Sequence, residues 1–301
     1  MHILITGGTG LIGRRLCTAL LAQGHQLTVL TRRPQQLAAL CGAGVQAMQD
    51  LEQYTPELEF DAIINLAGES IVDARWTAAR KQLLRHSRIT LTEQLMHKMA
   101  QARKKPAVLL SGSAIGVYGN RRDEMIDETA SAGGDFGAQL CVDWEAAAIP
   151  AARFGTRVCV LRTGLVLDSA GGILKKMRLP FQLGLGARIG DGRQWMSWIH
   201  VDDYVAIVLR LLTDERASGC VNMVAPQAVT NREFTQLLAR SLQRPAWLFT
   251  PAWVLQLALG ELSELLTGGQ HVLPARLNKL GYQFTYPSLL PALQHLNRQH
   301  A

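Results

Sequence analysis

The sequence has few cysteines and no long apolar run. Its five cysteines, Cys17, Cys41, Cys141, Cys159 and Cys220, are odd in number and scattered, with no C-x-x-C pair. This spacing favours buried, reduced thiols over disulfides or a metal site, and we expect no metal. No stretch reaches the roughly 18 consecutive apolar residues that a transmembrane helix needs. Since an apolar run also begins directly after Met1, which leaves no room for a signal peptide, we expect a soluble, cytoplasmic protein without a membrane partner.

Acidic residues are outnumbered: 31 Lys and Arg against 24 Asp and Glu give a formal charge of +7 and a pI near 9.4. Nucleic-acid binding is one interpretation of such a balance. The basic residues are spread over several segments, however, and no Lys/Arg run is interleaved with aromatic residues. A protein that binds small polyanions such as nucleotides can have the same excess of basic residues. Because the sequence has no basic run of the kind that binds nucleic acid, we expect no nucleic-acid partner.

Short apolar runs alternate with helical patterns over the first 160 or so residues. The predicted strands are HILIT, QLTVLT, GVQAM, FDAIINLAG, AVLLSGS and RVCVLRTG, and the predicted helices are Leu11–Gln23, Trp76–Ala102 and Phe136–Ala152. Nearly continuous apolar runs are typical of strands that are covered on both faces. The alternation predicts an α/β fold with a doubly wound parallel sheet.

The alternation ends after Gly164. A Gly-rich segment, LGLGARIGDGRQWMSWIHVDD, precedes a helix predicted at about Asp203–Leu212 and a strand CVNMVA, and Thr230 and Glu233 have the spacing of a capping box. The last 50 or so residues have helical patterns interrupted by prolines. We therefore expect a nucleotide-binding domain at 1–165, to which 200–225 returns, and a smaller, mostly helical substrate-side region at 166–199 and 226–301.

Glycines at a spacing of three follow the first strand: Gly7, Gly10 and Gly13. Gly7 permits a tight turn, Gly10 lets the backbone approach a pyrophosphate, and Gly13 lets the next helix pack closely on the sheet. A tight strand–helix turn also needs glycine for purely structural reasons. The position between a strand and a helix nevertheless favours dinucleotide binding.

The end of the second strand indicates which dinucleotide is bound. NAD sites place Asp or Glu there, whereas this chain reads VLTRRP, with Thr31 and Arg32. A guanidinium can bind a 2′-phosphate through two hydrogen bonds. The sequence therefore predicts NADP(H), with solvated loop arginines as the alternative.

Several motifs, in order, resemble the extended, nucleotide-sugar epimerase-like branch of the short-chain dehydrogenase/reductase superfamily, whose fold is of the Rossmann type. They are TGGTGLIG, NLAG, SGSAIGVYG with DETA, LRTGLVL and WIHVDDYV. Closer still, SRI, DWEAAA, PFQLGLGARIGDGRQWMSWIHVDD and LPARLNKLGYQF resemble epimerase-family proteins of the SDR39U type. The resemblance implies a nucleotide-sugar-like substrate and permits a homodimer.

The resemblance also implies a set of cofactor contacts. They are Gly7, Gly10, Leu11, Ile12 and Gly13 for the pyrophosphate, Thr31 and Arg32 for the 2′-phosphate, Leu66, Ala67 and Gly68 for the adenine-ribose side, Arg88 reaching back from the helix after the fourth strand, and Val166 beside the nicotinamide. Surface exposure is the alternative interpretation of Arg88.

The chain departs from the superfamily at its proton-transfer residues. In that superfamily a tyrosine exchanges a proton with the substrate, and a lysine four residues later lowers the pKa of the tyrosine. None of the five tyrosines here has such a lysine, and no lysine occurs between Lys105 and Lys175. By spacing, Phe136 takes the tyrosine position and Leu140 the lysine position. Neither can transfer a proton.

Ser113 and Tyr118 are the candidate catalytic residues that are left. Ser113 could polarise a carbonyl or simply bond the strand end, and Tyr118, within VYG, is either a substitute acid or a packed residue. His200 and Asp202 suggest acid–base chemistry, but in this context they favour a loop anchor that starts a helix. Two functions stay open: an NADP-dependent oxidoreductase or epimerase of atypical mechanism, and a non-catalytic NADP(H)-binding sensor or scaffold.

Overall fold

Seven parallel strands form the central sheet of the computed structural model. They are β1 (His2–Thr6), β2 (Gln26–Leu30), β3 (Val45–Met48), β4 (Ala62–Asn65), β5 (Val108–Ala114), β6 (Arg157–Thr163) and β7 (Gly219–Met223). Their order is β7-β6-β5-β4-β1-β2-β3, and every neighbouring pair is parallel. The strand order reverses between β1 and β4, and ligands of such sheets bind beyond the carboxyl ends of the strands at that point. The Rossmann-type α/β fold is thereby confirmed.

The structure describes residues 1–298, so the last three residues of the predicted region 226–301 lie outside it. Helices follow most strands. They are α1 (Leu11–Ala22), α2 (Leu37–Cys41), α3 (Ala78–Arg85), α4 (Leu91–Gln101), α5 (Phe136–Ala148), α6 (Gly172–Gln182), α7 (Val201–Thr213), α8 (Asn231–Ser241), α9 (Ala252–Leu259), α10 (Glu264–Thr267), α11 (Ala275–Lys279) and α12 (Leu289–Arg298). No helix among these residues is both long and apolar enough to cross a membrane.

The core lies on both faces of the sheet. Ile3 and Ile5 of β1 pack into one cluster with α1 and α7, whereas Leu4 packs into another cluster with α4. Alternate residues of a strand point to opposite faces, so a strand covered on both sides must be apolar throughout. This is the physical reason for the continuous apolar runs of the sequence.

Two predicted helices differ in detail from the observed ones. The helix predicted at Trp76–Ala102 comprises α3, a π-helical turn at His86–Thr90 and α4. The helix predicted at Phe136–Ala152 ends at Ala148, and a 3-10 segment, Ile149–Phe154, continues it. Pro150 explains this end, because it lacks the N–H that another α-helical turn requires.

Short two-stranded pairings hold the part of the chain beyond β6. Leu165–Leu167 pairs with Trp198–His200, Trp195–Met196 with Val229–Thr230, Ala187–Ile189 with Leu248–Thr250, and Met125–Ile126 with His271–Val272. Their cluster with α6, α8 and α12 has its own buried residues, among them Trp198 and Phe234. Thr230 caps α8 by accepting a hydrogen bond from the N–H of Glu233, as its spacing predicts.

Candidate functional site

The glycine-rich loop lies where β1 passes into α1. Gly7 has φ +73°, and a Cβ there would come within 2.6 Å of the Leu66 backbone. A Cβ on Gly13 would overlap the Gly7 carbonyl oxygen, so this glycine lets α1 approach the loop. Gly10 is exposed, and α1 begins after it with neither a side-chain cap nor an acidic residue in its first turn. The positive end of the α1 dipole therefore stays open to an anion.

Arg32 lies beyond the end of β2, with 89% of its side chain exposed. Its guanidinium donates to the carboxylate of Glu69, which follows β4, at 3.1 Å. Thr31 is buried, and its hydroxyl accepts from the N–H of Arg33 at 3.1 Å. Because its side chain is exposed and held only by this surface ion pair, Arg32 can turn towards a ligand. Thr31 fixes the turn on which Arg32 lies.

A buried hydrogen-bond network fixes the loop after β4. The Asn65 amide accepts from the Thr6 hydroxyl at 2.7 Å and donates to Thr92 at 2.9 Å and to Ser111 at 3.2 Å. The Thr6 hydroxyl in turn accepts from the N–H of Ala67 at 3.1 Å. These bonds join β1, β4, β5 and α4, and they hold Leu66, Ala67 and Gly68 beside the glycine loop.

Arg88 reaches this loop from the π-helical turn. Its guanidinium donates to the carbonyl of Glu69 at 2.8 Å and lies 5.3 Å from the ring of Trp144. A Cβ on Gly68 would come within 2.9 Å of this guanidinium, so the glycine leaves the space that Arg88 occupies. Burial lowers the pKa of Arg88 from its usual value. Arg88 therefore points back to the cleft, as the sequence predicts; its contact with a cofactor stays a prediction.

The remaining predicted cofactor residues lie at the same edge of the sheet. Ile12, Leu66 and Val166 are half-buried and pack against the main core. Leu11 lies against the segment before α6, since a Cβ on Gly171 would come within 2.6 Å of its side chain. The structure therefore brings the first residue of α1 and the segment before α6 together at this edge.

Ser113, at the end of β5, donates its hydroxyl proton to Glu145 of α5 at 2.6 Å. Glu145 in turn accepts two hydrogen bonds of 2.9 Å from the guanidinium of Arg162 on β6. All three residues are buried. A serine whose proton is directed to a carboxylate presents its lone pairs, and so it is better suited to accept a hydrogen bond from a hydroxyl than to polarise a carbonyl.

Tyr118 is fully buried within the same network. Its hydroxyl donates to Asn222 at 2.7 Å and accepts from Arg162 at 3.0 Å. Burial raises its pKa above the usual value. Both hydrogen-bonding directions of the hydroxyl are therefore used inside the protein, and this geometry favours a packed residue over a proton donor to a substrate.

His200 is the N-cap of α7. Its Nδ1 accepts from the N–H of Asp202 at 3.0 Å, its Nε2 lies 3.3 Å from Nδ1 of His295, and its ring stacks on Tyr286 at 3.8 Å. The expected role, anchoring a loop and starting a helix, is confirmed. Side-chain ligand atoms of His200, Asp202 and His295 lie within 4.8 Å of one another, but both ring nitrogens of His200 already have partners. Of the two tryptophans before it, Trp198 is a core residue, and Trp195 is half-buried, donating to Asp123 at 2.8 Å.

Comparisons with known proteins identify the family. The model of the NAD dependent epimerase/dehydratase family matches residues 3–223, and a domain of unknown function, DUF1731, matches residues 250–296. The chain belongs to the NAD dependent epimerase/dehydratase family. It is 43% identical to an epimerase family protein of Mycobacterium bovis over 294 residues, 97% of this chain and 96% of that protein.

Two solved structures extend the comparison. The human epimerase family protein SDR39U1, solved with NADPH, is 34% identical, with a TM-score of 0.90 over 99% of both chains. A nucleoside-diphosphate sugar epimerase from Corynebacterium glutamicum is 31% identical, with a TM-score of 0.78 over 99% of this chain and 58% of that one. The SDR39U-type resemblance of the sequence is therefore confirmed.

Phe136 and Leu140, which take the tyrosine and lysine positions by spacing, pack with Trp76 and Leu84 in an apolar cluster. The side of α5 towards Ser113 carries Glu145 and, one turn earlier, Cys141, whose thiol lies beside that serine. None of these residues is a tyrosine or a lysine. The assignment of Phe136 and Leu140 to the two proton-transfer positions stays a prediction.

Cys141 does not replace the missing acid. Burial raises the pKa of its thiol to about 11, so the thiol keeps its proton at neutral pH and is a poor nucleophile. Sequence reasoning also missed Glu145, Arg162, Thr92 and Asn222 as members of the networks around the site. The available signal was a charged residue inside an otherwise apolar strand or helix, VCVLRTG and DWEAAA.

Proposed function

We propose that this protein binds NADPH at the carboxyl edge of the sheet and uses it in an oxidoreductase or epimerase reaction of atypical mechanism. The observation that carries the proposal is the open N-terminus of α1, with the Arg32 guanidinium exposed at the end of the neighbouring strand. The NADPH complex of the human relative supports it. In this arrangement the α1 N–H groups bind the pyrophosphate and Arg32 leaves Glu69 to bind the 2′-phosphate.

The proposed division of the chain follows from this placement. Residues 1–165, together with 200–225, would hold the cofactor, and 166–199 and 226–301 would cover the substrate. Bound NADPH supplies hydride chemistry. The nucleotide-sugar class of substrate rests on the Corynebacterium relative's description. The cytoplasmic location and the homodimer stay predictions.

Ser113 would act on the substrate through its lone pairs. Because Glu145 holds its proton, Ser113 would accept a hydrogen bond from a substrate hydroxyl and so orient that hydroxyl. Arg162 keeps Glu145 in place through two hydrogen bonds, and this pair therefore positions Ser113 without touching the substrate.

A second candidate function is a non-catalytic NADP(H) sensor. It is favoured by the lack of an available proton donor at these two residues. The hydroxyl of Tyr118 is hydrogen-bonded inside the protein, and the thiol of Cys141 is buried. The two functions share the cofactor site and differ in turnover.

Calorimetric titration with NADPH and NADH tests the shared part. A charge-assisted hydrogen bond is worth roughly 1.5–3 kcal/mol, so Arg32→Ala should weaken NADPH binding about 10- to 100-fold and leave NADH binding unchanged. Arg103→Ala, which removes an exposed arginine paired with Glu57, is the matched control. If neither nucleotide binds the wild type, both functions are wrong.

Turnover separates the two functions. Deuterated NADPH is incubated with a panel of carbonyl compounds, and NADP⁺ with a panel of nucleotide sugars; labelled reduced product and epimerised sugar are then measured. Turnover that Ser113→Ala reduces supports the enzyme. Turnover that Ser113→Ala leaves intact removes the role of Ser113, and absence of turnover with tight NADPH binding favours the sensor.

A further inference from the structure

Exposed apolar side chains are concentrated at one place on the C-terminal side of the protein. Within residues 1–298, eight of the fourteen large apolar side chains that are exposed belong to the end of α6, the loop after it, α9 and the segment before α9. We call them the apolar face: Leu179, Leu183, Leu185, Trp247, Leu248, Phe249, Trp253 and Leu257. Trp247 is 89% exposed and Trp253 67%. Such a concentration on a protein surface indicates an interaction site.

The two segments form one continuous surface. Ala187–Ile189 pairs in parallel with Leu248–Thr250, and the N–H of Gly190 donates to the carbonyl of Thr250 at 2.9 Å. At the other end of the loop, a Cβ on Gly184 would lie 3.7 Å from Pro245. The leucines after α6 and the aromatic residues before α9 are therefore neighbours.

The charge of these segments has one sign. Residues 169–190 and 234–260 contain no Asp or Glu, and their basic residues are Lys175, Lys176, Arg178, Arg188, Arg240 and Arg244. Within residues 1–298, Lys176 is the only one of the six in an ion pair, with Asp73 at 2.9 Å. Arg188 lies 5.7 Å from the ring of Phe249. Acidic residues directly flank the two segments at Asp168, Asp191, Glu233 and Glu261, and Asp73 pairs with Lys176, but no acidic residue lies within the segments.

We propose that the apolar face docks onto an anionic phospholipid bilayer. Tryptophan inserts into the interfacial layer of a membrane, where its apolar ring and its polar N–H are both accommodated, and phenylalanine adds apolar area beside it. Leucines bury apolar area at the boundary with the acyl chains, and neighbouring Lys and Arg bind anionic headgroups. The face combines all three features, and none of the helices within residues 1–298 could span the membrane.

Its composition argues against the other occupants. A two-fold symmetric contact with a second copy would bring the basic residues of both copies into one interface, with no carboxylate in the two segments to neutralise them. Single-stranded nucleic acid stacks on aromatic rings, yet five of the eight apolar residues are leucines, which offer no stacking surface. The expectation of no membrane partner rested on the absence of a spanning run, and this proposal replaces it with a surface contact.

Vesicle flotation with the full chain tests the proposal. The vesicles contain either phosphatidylcholine alone or equal parts of phosphatidylcholine and phosphatidylglycerol, at low and high NaCl. The protein should float with the anionic vesicles only, and high salt should release it. Lys175→Glu with Arg244→Glu should weaken binding at least about 25-fold, since each basic residue near such a surface contributes about a factor of five. Trp247→Ser with Trp253→Ser should weaken it at least about tenfold.

Matched controls use equally exposed residues outside the face. Ile149→Ser and Arg103→Glu should leave flotation unchanged, and thermal unfolding followed by circular dichroism shows whether each variant folds. Absence of flotation with anionic vesicles overturns the proposal, as does equal loss in the controls. Sedimentation equilibrium covers the remaining case: a dimer that Trp247→Ser disrupts, in a protein that does not float, identifies the face as a contact between copies and overturns the proposal as well.

Discussion

The guanidinium of Arg32 and the carboxylate of Glu69 form an ion pair of 3.1 Å between the ends of β2 and β4. The backbone carbonyl of Glu69 also accepts the hydrogen bond from Arg88. Glu69 therefore contacts both of the arginines predicted to lie at the cofactor. Since an exposed ion pair contributes about 0–1 kcal/mol, Arg32 can leave Glu69 at little cost.

This pair makes Glu69 a determinant of cofactor preference. Glu69→Gln removes a negative charge beside the proposed 2′-phosphate site and releases Arg32, so NADPH should bind about three- to tenfold more tightly. NADH lacks that phosphate, and its affinity should not change. Titration of both nucleotides checks this, with Glu52→Gln, from an exposed pair with Lys98, as the control. An equal gain for NADH would contradict the role of Glu69.

The three glycines of the loop should separate into structural and binding positions. Gly13→Ala places a methyl group against the Gly7 carbonyl and should lower the free energy of unfolding by about 1–3 kcal/mol or more. Gly10 is exposed, and its Cβ would meet only the Gly7 oxygen at 3.2 Å. Gly10→Ala should therefore lower the free energy of unfolding by about 1 kcal/mol or less. Its binding of NADPH should nevertheless be at least about tenfold weaker than that of the wild type.

Urea unfolding and NADPH titration of each glycine variant give the two readouts. Gly134→Ala, at a position where a Cβ meets nothing within 4 Å, is the matched control. If Gly10→Ala binds NADPH as tightly as the wild type, the loop does not approach the pyrophosphate as we propose.

The buried pair of Glu145 and Arg162 should be important for stability. Glu145→Gln leaves a buried guanidinium without its counter-charge and should cost about 3–5 kcal/mol. Ser113→Ala removes one hydrogen bond to the same carboxylate and should cost about 1–3 kcal/mol. Urea unfolding measures both. Glu52→Gln, which breaks an exposed ion pair, should lower the free energy of unfolding by about 1 kcal/mol or less. An equally small loss for Glu145→Gln would show that the buried pair is not important for stability.

His200 should make the protein less stable in mild acid. Burial, followed by repulsion from His295, lowers its pKa to about 4. The unfolded chain binds a proton at an ordinary histidine pKa of about 6.5, and the folded protein binds it only near pH 4. The folded state is therefore disfavoured as the pH falls from about 6.5 to about 4, by up to about 3 kcal/mol.

Unfolding free energies at pH 7 and pH 5 check this prediction. His200→Asn keeps a side chain able to cap α7 and removes the titrating group, so its stability should depend less on pH over this interval. The exposed His97→Asn is the control, and its pH dependence should match that of the wild type. An unchanged slope in His200→Asn would assign the effect to another group.

The sheet and the glycine loop could be predicted from the sequence because each depends on local rules. A strand covered on both faces is apolar along its whole length, as in HILIT and AIIN, and a tight turn that opens a helix needs glycine. The capping residue Thr230 and the helix-starting role of His200 follow from the same short-range chemistry. These features concern residues within about four positions of one another.

The tertiary structure alone decided which distant side chains meet. Glu145 and Arg162 lie on different elements, and nothing in their spacing shows that they pair, that Glu145 accepts a hydrogen bond from Ser113, or that Arg162 donates one to Tyr118. The sequence could not show which side of α5 faces β5, and so it did not indicate that Cys141 and Glu145 lie towards Ser113. Side-chain direction on a helix changes by about 100° per residue, so only the packing of α5 decides which of its residues face the strand. The sequence by itself determined the fold and the family motifs, and the packing of the folded chain determined the partners of each polar group in the cleft.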